Sequence, residues 1–253
     1  DEEILDDLLA DDKYILDNVN LNGIHIYFGT QNLDANSIAN NAEYIINIAQ
    51  QLEKKYNICL KYINLGGGFG VNYFPTDTFL DLELLGRELS FVLNKYEYFL
   101  QEKKLLMESG RFLTANSGVF ITKVLYKKSS KGNKFLVCDG GSNFHAASAF
   151  LGRFIRNNYP MYVLGKDDIE KEKYTIVGPL CTPTDILGLG YELPCSIKEG
   201  DYIIIEKSGA YGLTNSPYKF LSFNVPWELL IVENGKIHCM RSKGDSSDVM
   251  YGQ

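Results

Sequence analysis

Histidine and tryptophan are scarce in this 253-residue chain, which has three and one respectively. The histidines, His25, His145 and His238, are widely separated, so no multi-histidine metal centre is expected and no metal ligands are assigned. The five cysteines, Cys59, Cys138, Cys181, Cys195 and Cys239, include no C-x-x-C pair. An odd, scattered set argues against a disulfide framework or a zinc site and suits a reducing, cytoplasmic compartment. Positive charge is not in excess. Lys and Arg number 25 against 32 Asp and Glu, a net charge of −7, which disfavours nucleic acid as a partner. No run approaches the roughly 20 apolar residues of a membrane span. Residues 1–7 (Asp-Glu-Glu-Ile-Leu-Asp-Asp) are acidic, unlike a secretory signal or a transit peptide. What is present is ordinary for packed protein: 45% hydrophobic and 23% charged residues, in a length suited to one large domain or two small ones. The 17 tyrosines read as core and subunit-interface material.

The hydrophobic pattern changes along the chain. Residues 3–17 read as a short helix and 23–28 as a strand that runs into Gly29-Thr30-Gln31. Ile38, Ala42, Ile45, Ala49, Leu52 and Tyr56 recur every three or four residues and predict a helix over 34–56. A strand over 58–65 leads into Gly66-Gly67-Gly68, a helix is expected over 78–101, and a strand over 104–107 leads into Glu108. This alternation predicts an α/β layer with parallel strands. Beyond about residue 115, strands dominate, at 119–127, 134–139, 174–177, 201–206 and 228–232, and Glu233-Asn234-Gly235 signals a tight hairpin. The expected division is an α/β part over 1–115 and a β-rich domain over 116–253, with the boundary near 113–120.

Several strand-end loops carry candidate chemistry. Gly66-Gly67-Gly68 can present backbone N–H groups to a phosphate, or can simply turn a strand into a helix. Glu108-Ser109-Gly110-Arg111 places an acid and a base where they can serve two groups of one ligand, or pair with each other. Cys181 lies in a proline-rich loop that ends at Asp185. A thiol is most often a small buried hydrophobe, but this setting suits an exposed, shaped loop. Tyr211, between Ala210 and Gly212, can offer its hydroxyl to a ligand or pack as an aromatic. His145 follows Asp139-Gly140-Gly141 and reads as a hydrogen-bonded structural histidine or a group near the chemistry.

Taken in order, these segments resemble the fold-type III pyridoxal-phosphate decarboxylases, the family of the ornithine and diaminopimelate decarboxylases. The segment from His25 through Tyr27 to Gly29-Thr30-Gln31 is similar to the family's H-x-G-S-Q strand. Gly66 to Gly68 match its phosphate glycines, Glu108 to Arg111 its E-P-G-R, Cys181 to Asp185 its cysteine segment, and Gly209-Ala210-Tyr211 its G-A-Y. The resemblance implies the C-terminal part of a (β/α)8 barrel of alanine-racemase type followed by a C-terminal β domain, in a head-to-tail homodimer whose subunits share active sites. It implies that Gly66, Gly67, Gly68, Thr30, Arg111 and Tyr211 hold the phosphate of pyridoxal 5′-phosphate, and that Ser109 and Gly110 belong to the cofactor-binding loop. Tyr27 would stack on its ring, and Glu108 would face its ring nitrogen. Cys181 would return a proton to the substrate carbon after CO2 leaves, and Asp185, His145 and Arg111 would bind substrate.

The departures from the pattern are informative. Tyr27 stands where histidine is common, and Ser109 replaces the proline of E-P-G-R. Thr182 follows the cysteine where diaminopimelate enzymes carry glutamate, and His145-Ala146-Ala147-Ser148 lacks their arginine. Together with Arg153 to Pro160 and Gly178 to Pro183, these features are closer to the branch associated with exosortases and natural-product pathways. One activity in that branch acts on an aminoacyl group tethered to an acyl carrier protein. No lysine stands in the Y-x-V-K context that carries the cofactor in the family. By the length of the family it resembles, roughly 150 residues are expected upstream of Asp1, and the fragment alone is expected to be inactive. Two other readings of the residues are a non-catalytic relative that binds and regulates a decarboxylase, and a fold-type III racemase.

Overall fold

The structure is a computed structural model that describes residues 20–149 and 158–250. The helix expected over 3–17 and the Arg153–Arg156 stretch lie outside the described residues. The chain divides into two compact units. One draws on Asp1–Asn72 and Thr76–Leu113, the other on Tyr73–Pro75 and Thr114–Gln253.

The first unit is built on three parallel strands in the order β1-β2-β3: β1 (Gly23–His25), β2 (Tyr62–Gly67) and β3 (Lys104–Glu108). Helix α1 (Ala35–Tyr56) connects β1 to β2; α2 (Leu82–Lys95) and α3 (Glu97–Leu100) connect β2 to β3. Parallel neighbours need such crossovers, which is why the strand and helix patterns alternate. The Asp34 side chain accepts from the backbone N–H groups of Asn36 and Ser37 and starts α1. Asn57, in the left-handed region at φ 51°, ends it. The apolar stripe of α1 buries Ile45, Ile46 and Ala49 against Leu60 and Ile63 of the β2 segment and Val92 of α2. A second cluster joins Ala35 and Ile38 to Leu80 and Leu85.

Two sequence expectations are refined here. The pairing of β2 begins at Tyr62, not at Ile58, because the N–H groups of Lys61 and Tyr62 both turn to the Asn22 carbonyl. The helix expected over 78–101 starts at Leu82, where Asp81 caps it, and breaks at Tyr96.

The second unit contains a six-stranded sheet in the order β6-β9-β4-β5-β7-β8. Its strands are β4 (Phe120–Ser130), β5 (Asn133–Cys138), β6 (Met161–Val163), β7 (Lys171–Val177), β8 (Ile186–Pro194) and β9 (Tyr202–Ile205). All neighbours are antiparallel except β5 and β7. Val124, Leu136, Tyr174, Ile176, Leu187 and Ile203 form its fully buried interior. Tyr73 belongs to this unit and is buried, with its ring 4.8 Å from that of Tyr159. β10 (Glu228–Ile231) and β11 (Ile237–Arg241) make the hairpin anticipated at Asn234-Gly235, with Gly235 at φ 77°.

Candidate active site

In the first unit the candidate residues gather where β1, β2 and β3 end. His25 lies level with Asn64, and Gly67 level with Glu108. Gly66 and Gly68 adopt positive φ (74° and 81°), which L side chains rarely tolerate. A Cβ on Gly67 would overlap the Glu108 carbonyl oxygen, and one on Gly68 would overlap that of Gly29. The glycines therefore let three pieces of backbone meet. Asn32 adds to this closure: its N–H donates to the Gly68 carbonyl at 2.8 Å and its carbonyl accepts from Gly70 N–H at 2.8 Å. Thr30, exposed, is thereby held beside the Gly66–Gly68 turn.

Glu108 is the anionic centre of this edge. Asn64 Nδ2 donates to its Oε1 at 2.6 Å, while Asn64 Oδ1 accepts from Gly66 N–H at 2.9 Å. One amide thus fixes both the carboxylate and the first glycine of the turn. His25 Nε2 lies 3.9 Å from Glu108 Oε2. The Glu108 side chain is 60% exposed, so its second oxygen is open to a ligand. Tyr27 is exposed, Ser109 is half-buried, and Arg111 is half-buried in α4 (Gly110–Thr114) directly after β3. A cavity lined by Phe28, Gly29, Gly66, Gly67 and Met107 holds only about 20 Å³, the space of a single water. A larger ligand of this unit would lie across the strand ends, not beneath them.

The remaining candidates, Cys181, Asp185, His145 and Tyr211, are in the second unit. Cys181 is exposed on the loop between β7 and β8. Asp185, assigned to substrate on sequence grounds, is placed otherwise: it is 2% exposed, and both carboxylate oxygens are taken by backbone. Ser142 N–H donates to Oδ1 at 2.6 Å and Leu180 N–H to Oδ2 at 2.8 Å. His145 is buried as well. Its Nδ1 lies 2.9 Å from Ser148 Oγ, and its ring stacks on Phe120 and meets Tyr159 edge-on. Tyr211 is exposed at φ 56°. Ser216 Oγ donates to the Gly212 carbonyl and accepts from Ala146 N–H, tying the Tyr211 turn to the His145 loop. Asn64, Ser142 and Ser216 were not singled out from sequence. Only Asn64 carries a signal, as a polar residue two positions before the glycine run.

The family model for the pyridoxal-dependent decarboxylase C-terminal sheet domain matches residues 11–209. The chain belongs to the pyridoxal-dependent decarboxylases. Within the family it is 42% identical, over 236 residues, to the L-glutamyl-[BtrI acyl-carrier protein] decarboxylase of Niallia circulans, a match that covers 91% of this chain and 55% of that protein. It is 28% identical to the diaminopimelate decarboxylase of Aquifex aeolicus over 90% of this chain and 51% of that one. The crystal structure of Helicobacter pylori diaminopimelate decarboxylase complexed with L-lysine superposes with a TM-score of 0.80 at 27% identity, covering 98% of this chain and 58% of that one. This decarboxylase-family chain thus spans about half the length of the curated relatives it matches. The fold is that of fold-type III enzymes, part of the barrel followed by the β domain, as the motifs implied.

The strand-end edge fits the family's cofactor. An oriented, open carboxylate suits a protonated pyridine nitrogen. Glycines of alternating backbone hand, a threonine hydroxyl and a guanidinium suit a phosphate.

Proposed function

We propose that this chain contributes the Glu108 and glycine-loop portion of a pyridoxal 5′-phosphate-dependent amino-acid decarboxylase. The observation that carries the reading is the Asn64-held Glu108 carboxylate level with the Gly66–Gly68 turn at the ends of parallel strands. When bound, the cofactor supplies the sink for the electron pair left by the departing carboxylate. Glu108 keeps the proton on the ring nitrogen by charge, and Asn64 keeps Glu108 aimed. Gly66 to Gly68, Thr30, Arg111 and Tyr211 bind phosphate, Ser109 and Gly110 complete the cofactor-binding loop, and Tyr27 offers a flat face to the ring. Cys181, on an exposed loop, delivers the proton that replaces CO2.

The substrate in this reading is an aminoacyl group on a carrier protein. The 42% identity to a carrier-protein glutamyl decarboxylase supports it. So does the 141–146 segment, which is buried and has no arginine to meet a free carboxylate. The protein works as a homodimer. Trp227 and the exposed apolar side chains of the β10–β11 hairpin, Leu229, Ile231, Ile237 and Met240, supply surface for such contacts. An odd, scattered set of five cysteines suits a reducing cytoplasm. Among the described residues no helix is long and apolar enough to cross a membrane.

The test is CO2 release by the full-length protein from carrier-bound glutamate beside free ornithine, lysine and diaminopimelate. Release from the carrier-bound substrate that Glu108→Gln suppresses supports the reading. Turnover of diaminopimelate alone refutes the carrier-bound substrate, and release that Glu108→Gln leaves intact refutes the site.

A further inference from the structure

Asp185 is a buried carboxylate to which the proposed chemistry gives no direct part, yet both residues that flank Cys181 are tied to it. Leu180, before the cysteine, donates its N–H to Asp185 Oδ2 at 2.8 Å. Thr182, after it, accepts the Asp185 N–H on its carbonyl at 3.2 Å. The Asp185 carbonyl accepts from Gly178 N–H at 3.1 Å, closing the loop at its base. The other carboxylate oxygen reaches out of the loop to Ser142 N–H at 2.6 Å, in the turn that follows β5. Gly141 and Gly178 have no room for a side chain, because a Cβ on either would overlap the Asp185 carboxylate. A charged acceptor bonded to two backbone donors in a 2%-exposed site is a strong local anchor.

We infer that Asp185 is a positioning residue for Cys181: it contacts no reacting group but fixes the loop that presents the thiol and locks that loop to the Gly141–Ser142 turn. The inference rests on the proposed role of Cys181, and it replaces a substrate-binding role for Asp185. Proton delivery to one carbon demands a fixed donor, and displacement by about 1 Å can lower a rate on the order of a hundredfold.

The experiment uses the full-length holoenzyme and the variants Asp185→Ala, Asp185→Asn, Gly141→Ala and Cys181→Ser. In Asp185→Ala and Gly141→Ala, hydrogen exchange at the Leu180 and Ser142 amides is expected to accelerate about tenfold or more, the loss of a charge-assisted bond. Alkylation of Cys181 by iodoacetamide changes in rate while that of Cys59 does not, and kcat falls about tenfold or more with KM held within about threefold. Asp185→Asn keeps one acceptor and is expected to restore part of each effect. Gly141→Ala perturbs the anchor while leaving the carboxylate in the chain, so the inference does not depend on a single variant folding well. Unchanged exchange and alkylation in both Asp185→Ala and Gly141→Ala overturn it, as does a raised KM at constant kcat, which would make Asp185 a substrate ligand. Full turnover by Cys181→Ser removes the cysteine's proposed chemistry instead, and the exchange and alkylation results still decide whether Asp185 holds the loop.

Discussion

The same substitution, glycine to alanine, is expected to act in opposite directions at two positions of the first unit. Gly67 sits in β2 where a Cβ would overlap the Glu108 carbonyl, so Gly67→Ala forces β2 and β3 apart or twists the peptide away. Overpacking of this kind costs about 1–3 kcal/mol. Gly86 lies in α2 with no heavy atom within 4 Å of an added Cβ and with an ordinary helical backbone. There alanine removes the glycine penalty and stabilises by about 1 kcal/mol. For a chain of this size each kcal/mol moves the melting temperature by about 2–4 °C. Gly86→Ala is therefore expected to melt about 2–4 °C higher, and Gly67→Ala about 2–12 °C lower. Thermal melts followed by circular dichroism, with cofactor removed so that occupancy does not contribute, check both. A Gly67→Ala protein as stable as the parent would refute the claim that close backbone approach demands that glycine. A Gly86→Ala protein that loses stability would refute the reading of open space at α2.

Three further outcomes follow from two buried groups. Lys103 Nζ lies 2.6 Å from Glu53 Oε1 and 2.9 Å from the Leu60 carbonyl, with its side chain almost wholly covered; Lys103→Met leaves Glu53 without its cation and is expected to cost about 3 kcal/mol in urea unfolding. Burial, reinforced by the neighbouring Asp139 charge, pushes the Cys138 thiol from its ordinary 9.0 up to about 12. At pH 8 iodoacetamide should therefore label exposed Cys59, Cys181 and Cys239 and spare Cys138, as mass spectrometry would show. Because the fold favours the neutral thiol, the stability linked to Cys138 is complete below about pH 9 and declines between about pH 9 and pH 12. Cys138→Ala should flatten that part of the pH–stability curve.

Where periodicity and backbone agree, the sequence was a faithful guide. The stripe from Ile38 to Leu52 marks the face that α1 buries, and Asn234-Gly235 marks the turn between β10 and β11. Apolarity reports burial and not ladder pairing, so Ile58 and Leu60 extended the expected β2 although they pack beneath the helices without joining the strand. β8 was not assigned from sequence; it contains Gly188 and Gly190, and the structure uses Gly188 to seat the side chains of Met161 and Ile176. β6 and β11 were not assigned from sequence, and pairing with β9 and β10 identifies them only in three dimensions. At the site, residue type suggested chemistry but not direction. Asp185 and Glu108 are both acids at strand-end loops, and only coordinates show one turned inward onto backbone amides and the other outward. Sequence marks Asn64 only as a polar residue before the glycines, since its importance lies in two bonds, to Glu108 and to Gly66 N–H.

Tyr73–Pro75, drawn from the middle of the first unit's sequence, belongs to the second unit, where Tyr73 packs on Tyr159. Neither unit is thus one uninterrupted stretch of polypeptide. A gene crossover near Leu113 that joined halves from two relatives would also mate one parent's aromatic tripeptide with the other parent's socket. Recombination among such enzymes would then tolerate exchange only where both sides of that mortise vary together, and the linear map of the gene understates how much of the protein must be inherited as a block.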